Sequence, residues 1–577
     1  MRKFYKLIIS GVVAVLLITC STQLKEPTQA TNSPVKVLLN QVGYHPRWPK
    51  VALLANAPQG TSVKLVNLAT QQTTELPAPE TAQTDPLSKE PLQPVDFSNI
   101  QQPGKYILRS GSADSAPFSI DSNAYQATLI SLLRSYYLQR CGVILDDPIT
   151  GLYHAPCHLH DHHLAHADAV HQKDDQIKAT GGWHDAGDYG KYVATTASTI
   201  ARILSLYEQY PSLFWDGQLT IPESGNGTPD VLDEMKFGLD WMLRMQRSDG
   251  AVYRKLSGTE WPIGLAPDED NQTRYIYGIS TPETGKFAGT MAMASRLFQE
   301  FDPGSANRYQ GAADLAWQYL ESQPTMEVDW YEGDDSGSGK YLASEVDREE
   351  SLKTDVDDRF WAAVELYIST GNKQYQQYVE SHLAKIPYTL FEWKDMSPLG
   401  IIDYRLQQRQ PISSETKTLI DQKLFAKANE ILTRVENNGY RLGNHRFIWG
   451  SNKMAAEEGI TLAYAYQLSQ DKRYHTAALD QLHFLLGRNP FNQTFVTGIG
   501  ARPVRHVNHL FARAKGLLIP GLVVGGPNSD AQDNIAPKGL GILSYLDSEK
   551  SYATNEYAID YNASLIGLIG LLISGNA

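Results

Sequence analysis

Tyr189-Gly190-Lys191-Tyr192-Val193-Ala194-Thr195-Thr196-Ala197-Ser198-Thr199-Ile200-Ala201-Arg202-Ile203-Leu204-Ser205-Leu206-Tyr207 sets the architecture. Val193, Ala197, Ile200, Leu204 and Tyr207 recur at intervals of four, three, four and three, so they share one helix face. Val231, Met235, Leu239 and Met242 repeat the pattern. Further helical stretches are predicted near 123–139, 286–301, 306–322, 359–370, 374–386, 418–435, 454–468, 472–486 and 563–574, with no convincing strand run among them. That makes eleven helices, and one more would complete an even set paired around a ring. A bundle or a solenoid fits the same pattern.

Upstream the period changes. Val35-Lys36-Val37-Leu38-Leu39, Val51-Ala52-Leu53-Leu54, Ser62-Val63-Lys64-Leu65-Val66 and Lys105-Tyr106-Ile107-Leu108 are short, β-rich and separated by Pro, Gly, Asn and Gln. They predict a small β-sandwich over 34–121, followed by a helical domain over 122–577. Long loops at 142–182, 248–284 and 488–555 are where function is expected.

Arg2, Lys3 and Lys6 precede an apolar run from Leu7 to Ile18 that ends at Thr19-Cys20-Ser21, the layout of an export signal over residues 1–20. Leu17-Ile18-Thr19-Cys20 resembles a bacterial lipobox, which would lipidate Cys20; Thr19 departs from its usual small residue. Residues 21–33 then form a flexible tether. The expected location is outside the cytoplasm: a periplasmic or cell-surface lipoprotein, or a secreted protein. The remaining chain, about 540 residues, is long enough for two or more domains. The net charge of −13 argues against nucleic acid or an anionic membrane surface as partner.

Two motifs carry the chemistry. Gly181-Gly182-Trp183-His184-Asp185-Ala186-Gly187-Asp188-Tyr189 places two carboxylates three residues apart at a helix entry. Helix capping accounts for one of them. Tyr552-Ala553-Thr554-Asn555-Glu556-Tyr557-Ala558-Ile559-Asp560-Tyr561-Asn562-Ala563 places Glu556 just before the last helix. Glycosidic cleavage needs a proton donor for the leaving oxygen and, for inversion, a base that activates water on the opposite face.

These motifs resemble the two signature regions of glycoside hydrolase family 9. Asn40-Gln41-Val42-Gly43-Tyr44 resembles the start of that family's N-terminal immunoglobulin-like module. Pro222–Glu234, Asp358–Ala363, Trp449-Gly450-Ser451-Asn452 and Pro520–Asn528 match further family segments in the same order. The resemblance implies an (α/α)6 barrel behind an immunoglobulin-like β-sandwich. It implies an inverting β-1,4-glycoside hydrolase with Asp188 as base, Asp185 as its partner in holding water, and Glu556 as acid. The acid and base carboxyls are then expected about 6.5–9.5 Å apart.

Besides Cys20 the chain has Cys141 and Cys157. In an exported protein such a pair suggests a disulfide, yet with His158 and His184 it also makes a Cys2His2 set suited to zinc. The family resemblance favours a structural zinc on these four residues. It also makes calcium plausible in the loops, without a ligand set. The neighbouring His160, His162, His163, His166 and His171 are expected to be a solvated polar loop.

One segment departs from the family. Its His-His-Arg stretch is altered here to Arg505-His506-Val507-Asn508-His509, so Arg505, His506 and His509 are candidate sugar contacts. Tyr189 and Tyr552, inside the two motifs, join them. Asp146 and Asp147 stand where an exo-acting family member closes the non-reducing end of its cleft, and an acidic wall suits a sugar amine. The reading favoured is therefore exo action on cello- or chitosan-type (glucosamine) oligosaccharides. The alternatives are an endo-β-1,4-glucanase (a cellulase) and a non-catalytic sugar-binding lipoprotein. Oligomeric state is not legible.

Overall fold

The computed structural model describes residues 34–338 and 353–575. The expected export signal with Cys20 and the expected tether over 21–33 lie outside the described residues. Val35–Ala577 form one unit. No helix among the described residues is long and apolar enough to cross a membrane.

The first ten strands are β1 (Lys36–Leu38), β2 (Gly43–Tyr44), β3 (Val51–Ala55), β4 (Lys64–Asn67), β5 (Thr73–Glu75), β6 (Gln83–Thr84), β7 (Pro91–Asp96), β8 (Gly104–Ser110), β9 (Ala113–Asp114) and β10 (Phe118–Ile120). They form two sheets, β1-β3-β7-β6 and β2-β10-β8-β4-β5, with β9 beside β8. Alternation along β8 buries Tyr106 and Leu108, which join Val37, Leu54 and Phe118 in a core between the sheets.

Asn40 and Gln41 dock this sandwich on the helices. The Asn40 amide meets Tyr125 Oη at 3.1 Å and His483 Nδ1 at 3.0 Å. Gln41 donates to Asn492 O (2.8 Å) and accepts from Arg502 N (2.8 Å). The Asn40–Tyr44 motif is thus an interdomain lock.

The helices are α1 (Gln126–Arg134), α2 (Val193–Gln209), α3 (Asp230–Arg244), α4 (Thr281–Leu297), α5 (Pro303–Ser322), α6 (Val356–Thr370) and α7 (Lys373–Leu383). They continue with α8 (Ser397–Leu406), α9 (Ser414–Glu436), α10 (Ser451–Ser469), α11 (Lys472–Leu485), α12 (Leu510–Lys515), α13 (Tyr552–Asn555) and α14 (Ile559–Ser574). Burial sorts them. On α2 the Val193-Ala197-Ile200-Leu204 face is buried, and so are Thr196, Thr199 and Ile203 around it. On α9 only one stripe, including Ile420, Leu424, Ala428 and Ile431, is buried. A helix buried all round is interior; one with a single apolar stripe is a surface helix.

Helices α2, α4, α6, α8, α10 and α14 form an inner ring, and α1, α3, α5, α7, α9 and α11 an outer one. Neighbours α14–α2–α4–α6–α8 and α10–α14 pack together. This is the (α/α)6 barrel. The helix missing from the sequence reading is α8, a ten-residue segment with Pro398 and Gly400.

The expectation of no strands after residue 122 is corrected. β11 (Leu145–Asp146) pairs with β12 (Tyr153–His154). A four-stranded sheet contains β13 (His163–Leu164), β14 (Lys191–Tyr192), β15 (Val252–Ser257) and β16 (Tyr275–Ser280), in the order β13-β16-β15-β14. β15 is buried along its whole length, so its sequence lacks the polar alternation that marks a half-exposed strand.

Candidate active site

The loop before α2 is anchored at each step. Gly182 adopts φ +74°, and a Cβ there would fall 2.6 Å from Trp241 Cγ, so the chain needs glycine to turn. Trp183 is fully buried, and its indole donates to Glu234 Oε1 at 2.8 Å. Glu234 pairs with Arg140 at 2.8 Å. Asp185 O accepts from Ile559 N at 2.8 Å, and Ala186 bridges Ala558, which brings the loop to the start of α14. A Cβ on Gly187 would lie 3.1 Å from Glu556 Oε1. The two motifs therefore meet, although more than 360 residues separate Asp188 from Glu556.

Asp185 and Asp188 are buried, while Glu556 is partly exposed. Asp185 accepts from the Thr195 hydroxyl. Asp188 Oδ2 accepts from Tyr192 Oη at 2.8 Å, and its Oδ1 is buried with no hydrogen-bond partner. Burial raises the pKa of Asp188, and the Tyr192 hydrogen bond opposes the rise. Burial, then the charge of Asp188, holds Asp185 well above the usual carboxylate range. Burial and the charges of Asp188 and Asp185 do the same to Glu556, against one hydrogen bond from Gly187 N. One carboxylate thus has an oxygen free to accept a proton, and another has its proton affinity raised by its surroundings.

The other residues of the second motif build the frame. Asn555 accepts from Tyr545 Oη (2.7 Å) and donates to His506 O (2.5 Å) and Asp547 Oδ1 (3.1 Å). Asp560 pairs with Lys453 at 2.7 Å. Asn562 ties α14 to Gly521 O (2.6 Å) and Ser135 Oγ (2.8 Å).

Three of the expected sugar contacts are buried and already partnered. Asp147 is buried and ion-paired with Arg134. Burial would raise its pKa, but hydrogen bonds from Arg134 and Thr150 hold it at about 2. It closes the β11–β12 turn, leaving Asp146 exposed alone. Tyr189 is buried against His184, and its hydroxyl donates to Leu265 O at 2.8 Å. His509 is buried, 2.7 Å from the Gln139 amide, and burial lowers its pKa to about 3. Arg505 and His506 are exposed, their backbone amides held by Asp547. Tyr552 is exposed with its ring 5.5 Å from Trp449. Trp449, the first residue of the Trp449-Gly450-Ser451-Asn452 segment, was not among the expected sugar contacts; its packing against Tyr552 comes from the fold.

Cys141, Cys157, His158 and His184 converge beneath the loop, with ligand atoms within 4.8 Å of one another. Both cysteines are free thiols. The sulfurs are 3.7 Å apart, His158 Nδ1 and His184 Nε2 are 3.2 Å apart, and Cys141 Sγ is 3.5 Å from His158 Nδ1. A tetrahedral ion with Zn–S near 2.3 Å and Zn–N near 2.0–2.1 Å requires about 3.8, 3.3 and 3.5 Å. Cys157 Sγ to His184 Nε2 is looser at 4.0 Å. His158 Nε2 faces Asp270 at 3.4 Å, the carboxylate that a metal-bound imidazole commonly recruits. The donor set fits a four-coordinate metal. No comparable group of three or more such side chains occurs elsewhere among the described residues.

An (α/α)6 barrel with carboxylates gathered where inner helices begin defines a class of glycoside hydrolase. The family models agree: "Glycosyl hydrolase family 9" matches residues 125–569 and "Cellulase N-terminal ig-like domain" matches 32–115. The chain belongs to glycosyl hydrolase family 9. It is 29% identical to Endoglucanase D of Acetivibrio thermocellus over 99% of this chain and 88% of that protein. A metagenome-derived family 9 endoglucanase superposes with TM-score 0.88 at 40% identity, covering 94% of this chain and 99% of that one. The Zn-binding triple mutant of family 9 endoglucanase J30 superposes with TM-score 0.84 at 36% identity, covering 91% and 99%. The non-catalytic alternative falls away.

Proposed function

We propose that this protein is an inverting endo-β-1,4-glucanase with Asp188 as base, Asp185 as its partner and Glu556 as acid. The observation that carries the reading is the unpaired, buried Oδ1 of Asp188 in the same site as Glu556, whose pKa is raised by burial and by the charges of Asp188 and Asp185. Glu556 donates its proton to the glycosidic oxygen as the bond to the anomeric carbon breaks. Asp188 Oδ1 takes a proton from a water attacking the opposite face, and Asp185 helps orient that water.

Endo action replaces the exo reading for two reasons. The similar proteins named above are endoglucanases. Asp147, half of the acidic wall expected to bind an amine, is consumed by Arg134. Tyr552, Arg505 and His506 are exposed and Trp449 half-buried beside Tyr552; together they supply surface for glucose units, the aromatics by stacking.

End-labelled cellohexaose and chitosan hexamer separate the readings. Mid-chain cleavage of cellohexaose, with the α-anomer formed first by NMR, is expected. Stepwise monomer release, or preference for the chitosan hexamer, would restore the exo reading.

The same reading includes a structural zinc on Cys141, Cys157, His158 and His184. Four protein ligands leave no position for water, so the ion would cross-link the loop rather than take part in hydrolysis. The similarity to a zinc-binding family 9 variant supports it. Export through residues 1–20, with or without a lipid on Cys20, and domain limits at 34–121 and 122–577 complete the proposal.

A further inference from the structure

The register of β14 sets a row of side chains behind the base. Tyr192 lies opposite Lys255 on β15, and Lys255 lies opposite Tyr277 on β16, so all three share one face of the sheet. Lys255 is buried, with Nζ 4.8 Å from the Tyr277 ring centroid. It donates to Asp334 O (2.8 Å), Asp335 Oδ1 (2.6 Å) and Ser338 Oγ (2.5 Å). An ammonium only donates, so Ser338 Oγ accepts and keeps its own proton to give. The Tyr192 phenol donates to Asp188 Oδ2 at 2.8 Å, and Ser338 acts on that phenol to lower its pKa, as a donated hydrogen bond does.

We propose that Tyr192, Ser338 and Lys255 are positioning residues for the general base, a directed hydrogen-bond chain that pins Asp188 Oδ2 and leaves Oδ1 as the oxygen offered to water. The inference rests on Asp188 being that base. Gly190 is part of the arrangement: a Cβ there would stand 2.5 Å from Tyr192 Oη and 2.7 Å from Asp188 Oδ2. Hydrogen bonds in series polarise one another, so the ammonium strengthens the final phenol–carboxylate contact across two hydroxyls. The other charged groups acting on Asp188 are Arg274, held by Asp161 at 2.8 Å, and the carboxyls of Asp185 and Glu556.

The test is a double-mutant cycle on cellohexaose, with melting temperatures confirming the fold of each variant. Tyr192→Phe is expected to lower kcat about 10–100-fold with KM within about twofold. It should also move the acid limb of the kcat/KM profile to higher pH, because the carboxylate has lost a donor. Ser338→Ala should act in the same direction by a few-fold, and it carries the test if Tyr192→Phe fails to fold. In an Asp188→Ala background Tyr192→Phe should change nothing further. Unchanged kcat in Tyr192→Phe, with Asp188→Ala inactive, overturns the chain and leaves the base assignment standing. Equal losses in both backgrounds reduce Tyr192 to a structural brace and also overturn it. Near-native activity in Asp188→Ala instead refutes the base assignment.

Discussion

The two carboxylates proposed as base and acid are held in opposite ways. Asp188 sits in a loop anchored through Trp183–Glu234, the thiol–imidazole cluster at His184, the Asp185 backbone bond to Ile559 and the Tyr192 phenol. Glu556 follows a single helical turn, α13, and is held by its backbone: Gly525 N donates to Glu556 O at 2.9 Å, and Asn508 bridges it. A base in an inverting reaction must present one particular oxygen to one water, and fixing it takes many contacts. An acid needs chiefly to keep its proton, for which burial and two negative neighbours suffice.

The largest effect should separate the two walls by leaving group. Asp188→Asn and Glu556→Gln should each lower hydrolysis of cello-oligosaccharides by about 10²–10⁴. On a dinitrophenyl cellobioside, whose leaving group needs no proton, Glu556→Gln should recover most of its rate and Asp188→Asn should not. Recovery in both variants, or in neither, would erase the division of labour.

Loss of the proposed zinc should fall on the base side alone. Cys157→Ser, or exhaustive chelation, should abolish stoichiometric zinc by elemental analysis and lower the Tm by several degrees. In the apoprotein kcat on dinitrophenyl cellobioside should drop, because the base loop loosens. An apoprotein with native Tm and native kcat would show the cluster to be idle.

A smaller loss is expected at Asp147. Its depressed pKa means that the Arg134 pair stabilises the fold above the ordinary carboxylate pKa of 3.8 and is lost as pH falls through about 2. Asp147→Asn should therefore lower the Tm at pH 6 by a few degrees, and the gap to the native chain should close toward pH 2. Its kcat/KM should stay within about twofold, since the side chain does not reach the cleft. A marked loss of affinity for oligosaccharide would return it to the substrate wall.

Asp147 also marks where sequence reading stops. Asp-Pro after Cys141 fits a surface turn or a cleft wall equally well, and Arg134, thirteen residues upstream, decides between them. The inner helices were legible because apolar spacing survives burial, as on α2. The α8 helix was not, because ten residues with Pro398 and Gly400 show too little period. β15 and β16 were hidden for a different reason, burial on both faces. Asp185, Asp188 and Glu556 were recognisable through their family setting; residue pattern alone left capping and solvated charge as rival accounts. Tyr192 stood inside the first motif, yet its role depends on lying opposite Lys255, a pairing across more than sixty residues.

The smallest effect concerns the acid and has the opposite sign to the others. Glu556 has a folded pKa well above its ordinary 4.5, because burial and the charges of Asp188 and Asp185 penalise its anion. A raised carboxyl binds its proton more tightly in the folded chain than in the unfolded one, so its contribution to stability is fully present below the unfolded pKa. That contribution is lost as pH rises through the folded value. Glu556→Gln, permanently neutral, should therefore raise the Tm at pH 7–8 by roughly 1–3 °C, while at pH 4 the two proteins should melt together. An equal gain at both pH values would mean that the substitution acts through packing, and an absent gain that Glu556 carries its charge without strain. Either result would remove the electrostatic ground for casting Glu556 as the acid and would leave only its position to support that role.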